Sequence, residues 1–291
     1  ALGLQAGAKD GWFQAGPFDT RQIDETGSSL AIVADGKETR LTLGKEAFIS
    51  LRSEPAASVR AQMVFVGHGL QVPEMDYDDL RGVDLKGKIA VVIAGAPKGW
   101  PGPLSAHVQN IGVRWEGLRK AGAIGVVSLP KVQTMPWVRA SAARLQMQMS
   151  ARMPGMEDER GQQIQVTVNP AYAGLFLDGT GHTLADLIKL SDGPTPMPHF
   201  PLNKELVATA KVKKGSVDSR NVVAVLPQVQ SGKFRALAVT SGKRMRVLPD
   251  VPTTREVLKQ DLLVQDNWSG IAMHARTPVE FIRRINAETS K

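Results

Sequence analysis

Apolar and polar positions alternate with a period of two over Leu30–Leu43, where LAIVA and ETRLTL flank Asp35-Gly36. That pattern predicts a β-hairpin at the edge of a small β-rich region. Gln62 to Val66 predicts a third strand, broken by Gly67-His68-Gly69. The run Lys88 to Ile93 is apolar on both faces and lies between Gly87 and Gly95, so it predicts a central, fully buried strand. From Leu104 to Lys120 the period changes: Val108, Ile111, Trp115 and Leu118 recur at steps of three and four, which predicts one helix closed by Gly122. Ala123 to Leu129 follows as a strand, and Trp137 to Met149 as a second helix. Asn169-Pro170 reads as the cap and first turn of a short helix ending near Asp178-Gly179, and Thr183 caps another that runs to Leu190. Four prolines between Asp192 and Pro201 mark a linker-like crossing before two strands, Leu206–Val212 and Asn221–Leu226.

Beyond Pro227 the order of elements starts afresh. Phe234–Val239 reads as a strand, Thr253–Lys259 as a helix after a Pro-Asp-Val-Pro turn, and Val264–Met273 as a strand. Thr277-Pro278 opens a last helix. The alternation of strands and helices makes this a mixed α/β chain.

Composition narrows the function classes. Of 291 residues 42% are hydrophobic and 22% charged, as in globular proteins. The chain has no cysteine, which excludes disulfide scaffolds, thiolate metal sites and cysteine nucleophiles. The net charge of +8 is spread along the chain with few aromatics beside it, so no nucleic-acid partner is expected. No stretch is long and apolar enough for a membrane span. The chain opens at Ala1 without Met, so a removed leader or a truncated start is expected.

No catalytic or cofactor-binding residue stands out. Gly67-x-Gly69 lacks the third glycine of a dinucleotide loop, and Gly179-Thr-Gly-His182 lacks the Lys-Ser/Thr end of a phosphate loop. His-Glu-x-x-His and Gly-x-Ser-x-Gly are both absent from the sequence. The weak candidates for a metal site are His68, Asp76 and Asp78, in a loop that also carries Glu74 and Asp79. Their irregular spacing favours a turn with solvated carboxylates, and no metal site is expected. His107, His182 and His199 stand singly.

Two resemblances add to this reading. The run from Val64 to Gly99 (VFVGHGLQVPEMDYDDLRGVDLKGKIAVVIAGAPKG), Arg114-Trp115, Lys120–Val127, Gly179–Asp186 and Ser219–Pro227 together resemble the protease-associated insert of bacterial zinc aminopeptidases of the leucyl-aminopeptidase and transferrin-receptor type. The resemblance implies a β-rich sandwich or barrel with flanking helices. In the parent enzymes two zinc ions would follow, held by a His-x-Asp pair and further ligands. Here the chain lacks that spacing, so no cofactor is expected. From Gln230 onward, Arg235–Val239, Leu248–Thr253, Trp268–Gly270 and Thr277-Pro278 resemble the carboxy-terminal lobe of solute-binding proteins of tripartite tricarboxylate transporters, which implies a partial α/β lobe of periplasmic-binding-protein type. Arg235, Lys243, Arg244 and Arg246 read as a solvated basic strand and turn rather than a carboxylate clamp.

The expected organisation is an N-terminal segment with the hairpin (1–44), a protease-associated domain (45–215), the first strand of a truncated peptidase domain (216–227) and the partial lobe (228–291), joined just after Pro227. The expected function is that of a non-catalytic protease-associated module, shaping substrate access or making peptide or protein contacts. The alternative is a fragment that binds a small carboxylate weakly. Both resemblances imply a periplasmic or secreted location.

Overall fold

The computed structural model describes residues 5–6, 11, 13–131, 136–151, 159–222, 224–225, 239, 243–244, 249–253 and 256–257. In chain order the strands are β1 (Gln5–Ala6), β2 (Phe13–Ile23), β3 (Ser29–Ala34), β4 (Lys37–Leu41), β5 (Ala47–Ile49), β6 (Ser58–Val66), β7 (Gln71–Val72) and β8 (Tyr77–Asp78). They continue with β9 (Ile89–Ile93), β10 (Gly125–Leu129), β11 (Gln148–Ala151), β12 (Ile164–Val168), β13 (His199–Thr209), β14 (Val212–Val222) and β15 (Ala224–Val225). The helices are α1 (Gly102–Gln109), α2 (Ile111–Lys120), α3 (Trp137–Ala142), α4 (Gly174–Leu177) and α5 (Leu184–Ser191).

The chain divides into two compact units, one of residues Gly16–Ser219 and one of Ala1–Ala15 with Arg220–Lys291. The first is built on an eight-stranded sheet in the order β4-β3-β13-β6-β9-β10-β12-β5. Pairing is parallel from β6 through β9 and β10 to β12, and antiparallel outside that centre. The strand at the middle of the parallel part is β9, and every one of its residues is buried. Its side chains alternate between two cores. Ile89, Val91 and Ile93 meet Phe176 and Leu187 from the α4 and α5 side, while Ala90 and Val92 meet Trp115 and Leu118 of α2. An apolar run without polar alternation therefore becomes the strand with helices on both faces, each fully buried Val or Ile contributing about 1.5–3 kcal/mol.

The predicted hairpin is β3–β4, with Asp35 (φ 49°) and Gly36 (φ 76°) in the left-handed conformation that a two-residue turn requires. Its outer strand ends the sheet with Lys37, Glu38, Thr39 and Arg40 all exposed. The other end, β5, is flanked by Trp137, whose ring lies 5.4 Å from Phe48 and whose indole N–H donates to the Gly44 carbonyl at 2.8 Å. Arg144 holds the same segment through a paired contact with Glu25 at 2.7 and 3.0 Å.

Two expectations are corrected. The helix predicted over Leu104–Lys120 is two helices, because Asn110 takes an extended conformation (ψ 130°) and its side chain accepts from Gly112 N and Val113 N at the start of α2. An Asn that can satisfy free N–H groups at a new helix start competes with helix continuation. The helix predicted over Trp137–Met149 ends at Ala142, passes through one 3-10 turn, and becomes β11, which pairs antiparallel with β2 at Met149↔Thr20. Pairing with a neighbouring strand outweighs local helical spacing there. The strand order is linear, with β4 and β5 at its ends, and the sheet carries helices on both faces, the mixed α/β architecture that the alternation of elements predicts.

Asn169 and Thr183 cap their helical turns as the sequence predicts, accepting from Ala171 N at 3.1 Å and Asp186 N at 3.2 Å. In the second unit β15, the end of the strand predicted over Asn221–Leu226, pairs with β1 at Gln5↔Val225 and Ala6↔Ala224. Thr253 and Glu256 form a reciprocal cap at the predicted helix start, with Glu256 N–H donating to Thr253 Oγ1 and Thr253 N–H to Glu256 Oε2. The join after Pro227, the Phe234 end of its strand, the strand around Trp268 and the helix after Thr277 lie outside the described residues.

Candidate functional site

Crevices at the carboxyl ends of parallel strands are where open α/β sheets most often hold ligands. Here those ends carry Gly67-His68-Gly69 after β6, Ala94–Lys98 after β9 and Lys131 after β10. The two glycines take φ of 62° and 66° and fold the chain tightly back. A Cβ on Gly67 would stand 2.7 Å from Met197 Cβ and 2.8 Å from Asp79 Oδ1; one on Gly69 would stand 3.0 Å from Val92 Cγ1. Glycine is required by backbone conformation and by close packing alike.

This turn drives His68 into the interior. It is fully buried, with Nδ1 2.9 Å from the Ile93 carbonyl oxygen and Nε2 2.9 Å from that of Ser191. The imidazole thus bridges the ends of β6 and β9 to the last turn of α5. Asp79 lies beneath it, 2% exposed, and accepts three backbone N–H groups: His68 and Leu70 on Oδ2 at 2.9 and 3.3 Å, and Met197 on Oδ1 at 3.0 Å. One carboxylate therefore ties the glycine turn to the chain entering β13.

Burial pushes the His68 imidazole below its ordinary pKa, against the two carbonyls and the Asp79 charge that favour its protonated form. Burial also pushes the Asp79 carboxyl up, opposed by its N–H donors. Tyr77 is held un-ionised by burial and by the neighbouring Asp79 charge, and its ring meets Trp100 edge-on at 5.1 Å. Burial lowers the Arg114 guanidinium to about 10, and its Nη2 donates to the Gly95 carbonyl at 2.8 Å. At the rim, Lys131 Nζ donates to the Ser191 carbonyl at 3.1 Å, while Lys98 and Lys131 both pair with Asp192. Hydrogen bonds from these two ammonium groups, more than their charges, hold the Asp192 carboxyl below its usual range.

The arrangement fastens loops. His68 faces the carbonyl of Ser191, whose hydroxyl donates instead to Ile188 O, so no serine is activated by it. The weak metal candidates are not brought together: both His68 ring nitrogens face carbonyls, Asp76 is exposed in a left-handed turn, and Asp78 accepts Leu80 N–H at 2.9 Å. Among the described residues no group of three or more His, Asp or Glu could hold a metal ion. The expectation of solvated carboxylates is corrected for Asp79, which is buried together with His68. Its only sequence signal was the return to apolar residues on either side, Tyr77 and Leu80, inside an acidic loop.

His107 is exposed on α1, His199 is exposed on β13, and His182 stacks on Phe200 with ring centroids 4.4 Å apart. Lys243 and Arg244 are exposed, Arg244 contacting Glu256 and the Pro249 carbonyl; Arg235, Arg246 and His274 lie outside the described residues. No described helix is long and apolar enough to cross a membrane.

Residues 163–291 match the family model of the tripartite tricarboxylate transporter family receptor. The match begins just before β12, upstream of the join expected after Pro227, and so takes in strands of the eight-stranded sheet. A curated relative, the UPF0065 protein in the tcbD-tcbE intergenic region of Pseudomonas sp. (strain P51), is 30% identical over 123 residues, which is 42% of this chain and 36% of that protein. The chain therefore spans little more than a third of that relative. Among solved structures, an aminopeptidase from Aneurinibacillus sp. strain AM-1 is 17% identical over 73% of this chain and 37% of its own, with a TM-score of 0.36. The zinc aminopeptidase BSAP from Bacillus subtilis is 14% identical over 70% of this chain and 35% of its own, with a TM-score of 0.29. At these scores the likeness carries no argument about fold or function. The comparisons thus favour the receptor reading over the protease-associated one.

Proposed function

We propose that this chain carries part of a solute-binding receptor of the tripartite tricarboxylate transporter type, and that its ligand class is the small carboxylic acid. The observation that carries this reading is the match of residues 163–291 to that receptor family, supported by the relative that is 30% identical. A small carboxylate in such a receptor is held by backbone N–H groups of loops and helix starts. The match covers residues 163–291, and the ligand would be a small acid bound through this part of the chain. The corresponding location is the periplasm. Titrating the purified chain calorimetrically with citrate, glutamate and similar acids tests this: heat or a thermal shift with at least one acid is expected, and a flat response across the panel sinks the reading.

A second reading applies to residues 45–215, as a non-catalytic protease-associated domain that makes peptide or protein contacts. It rests on the run Val64–Gly99 and on a geometry in which His68 and Asp79 are spent on backbone groups. In this reading residues 1–44 precede the domain, 216–227 begin a truncated peptidase domain, and 228–291 form the partial receptor lobe. The chain itself has no cofactor, the two zinc ions belonging to the parent peptidase. Incubation with zinc or cobalt and an aminoacyl-anilide is expected to release nothing, and metal-dependent turnover would overturn it.

A further inference from the structure

Between α2 and the sheet lies a cavity with room of about 30 Å³, lined by Val92, Trp115 and Leu118 on its apolar side. Four polar residues share that lining, Arg114, Ser128, Gln162 and Gln165. Arg114 and the two glutamines each contribute a buried polar atom that no protein group satisfies, Nε of Arg114, Nε2 of Gln162 and Oε1 of Gln165. Unsatisfied buried polar atoms are rare and costly, and three around one small cavity are not independent accidents. Two of these side chains are anchored at their other atoms. Arg114 Nη2 donates to the Gly95 carbonyl at 2.8 Å, and Ser53 Oγ donates to Gln162 Oε1 at 2.9 Å, which leaves Nε2 as that amide's free donor.

We propose that this cavity is an internal hydration site in which one ordered water joins Arg114, Gln162 and Gln165. The chemistry selects water over an anion. Two N–H donors and one carbonyl acceptor match a molecule that accepts twice and donates once, whereas Gln165 Oε1 would repel a negative charge. The size selects it as well: one water needs roughly 10–15 Å³ by this measure, and a carboxylate needs more than the site offers. The bound water ties α2 to β12, through the same guanidinium that holds the loop after β9. It also gives the buried Arg114 Nε–H a polar partner.

Two measurements on the unaltered full chain test this. A crystal structure at a resolution that shows ordered solvent is expected to place one peak about 2.7–3.2 Å from all three atoms. In solution, the Arg114 Nε–H resonance is expected to show a cross-peak to water with the sign of a long-lived bound molecule, and Gln165→Leu is expected to abolish it. An empty cavity, direct pairing of the glutamines with Arg114, or an anomalous peak there after a bromide soak would each overturn the proposal. So would a water cross-peak unchanged in Gln165→Leu.

Discussion

Removing the Asp79 carboxylate should loosen three loops at once. Asp79→Ala strips the acceptor from the backbone N–H groups of His68, Leu70 and Met197, all buried with it. A buried donor left unsatisfied costs about 1–3 kcal/mol, so three sum to about 3–9 kcal/mol. Two effects pull the total down: water can enter the space left by the side chain, and a carboxylate whose burial is costly has gone. A net loss of about 3–4 kcal/mol is expected. Asp79→Asn separates the contributions. Its amide oxygen can keep the two donors on the Oδ2 side, while its NH2 opposes the Met197 N–H, so about 1–2 kcal/mol should be lost. The assay is urea unfolding of the full chain followed by far-UV circular dichroism, with hydrogen exchange read at the three amides. The order wild type, asparagine, alanine is expected in both readouts. An alanine variant as stable as the asparagine one, or unchanged exchange at His68, Leu70 and Met197, would refute the reasoning.

Gly67→Ala forces a left-handed conformation on a Cβ that meets Met197 and Asp79, and should cost about 2–4 kcal/mol in the same unfolding assay; Gly36→Ala, also at positive φ but with nothing within 4 Å, should cost only about 1–2 kcal/mol. Because burial lowers the His68 pKa, the unfolded chain takes up a proton near pH 6.5 that the folded one refuses. Its contribution is therefore fully present above that pH and is lost as pH falls below it. Urea midpoints from pH 8 to 5 should fall more steeply for the wild type than for His68→Gln, and parallel profiles would contradict this. Asn110→Ala removes the cap between α1 and α2 and should lower stability by about 1 kcal/mol, measurable as a shift in midpoint without a change in slope.

Short-range signals were the readable ones. The Asp35-Gly36 hairpin, the buried strand β9 and the caps at Asn169 and Thr183 each depend on a few adjacent residues, and the structure places them where the pattern predicts. What failed depended on partners far along the chain. Met149 lies in a strand because β2 lies beside it, and Asn110 breaks a helix because its side chain can begin another. His68 read as a loop residue, since nothing within several positions shows that Ile93 and Ser191, 25 and 123 residues away, will enclose it. Asp79 was hidden among three acidic neighbours, Glu74, Asp76 and Asp78, and only the fold distinguishes the buried one. The cluster of Arg114, Gln162 and Gln165 had no sequence signature, because a helix and a strand about fifty residues apart bring it together.

The two ends of the large sheet bear on what this chain does at high concentration. A free strand edge is a template on which further chains can add, and a row of Lys37, Glu38, Thr39 and Arg40 makes such addition costly, because each new ladder would have to strip water from fixed charges. At the opposite end, Trp137 packs on Phe48 of the edge strand and donates to the Gly44 carbonyl beside it. Strand addition at the charged edge is thus disfavoured, which makes the β4 side a poor template for association of this chain with itself.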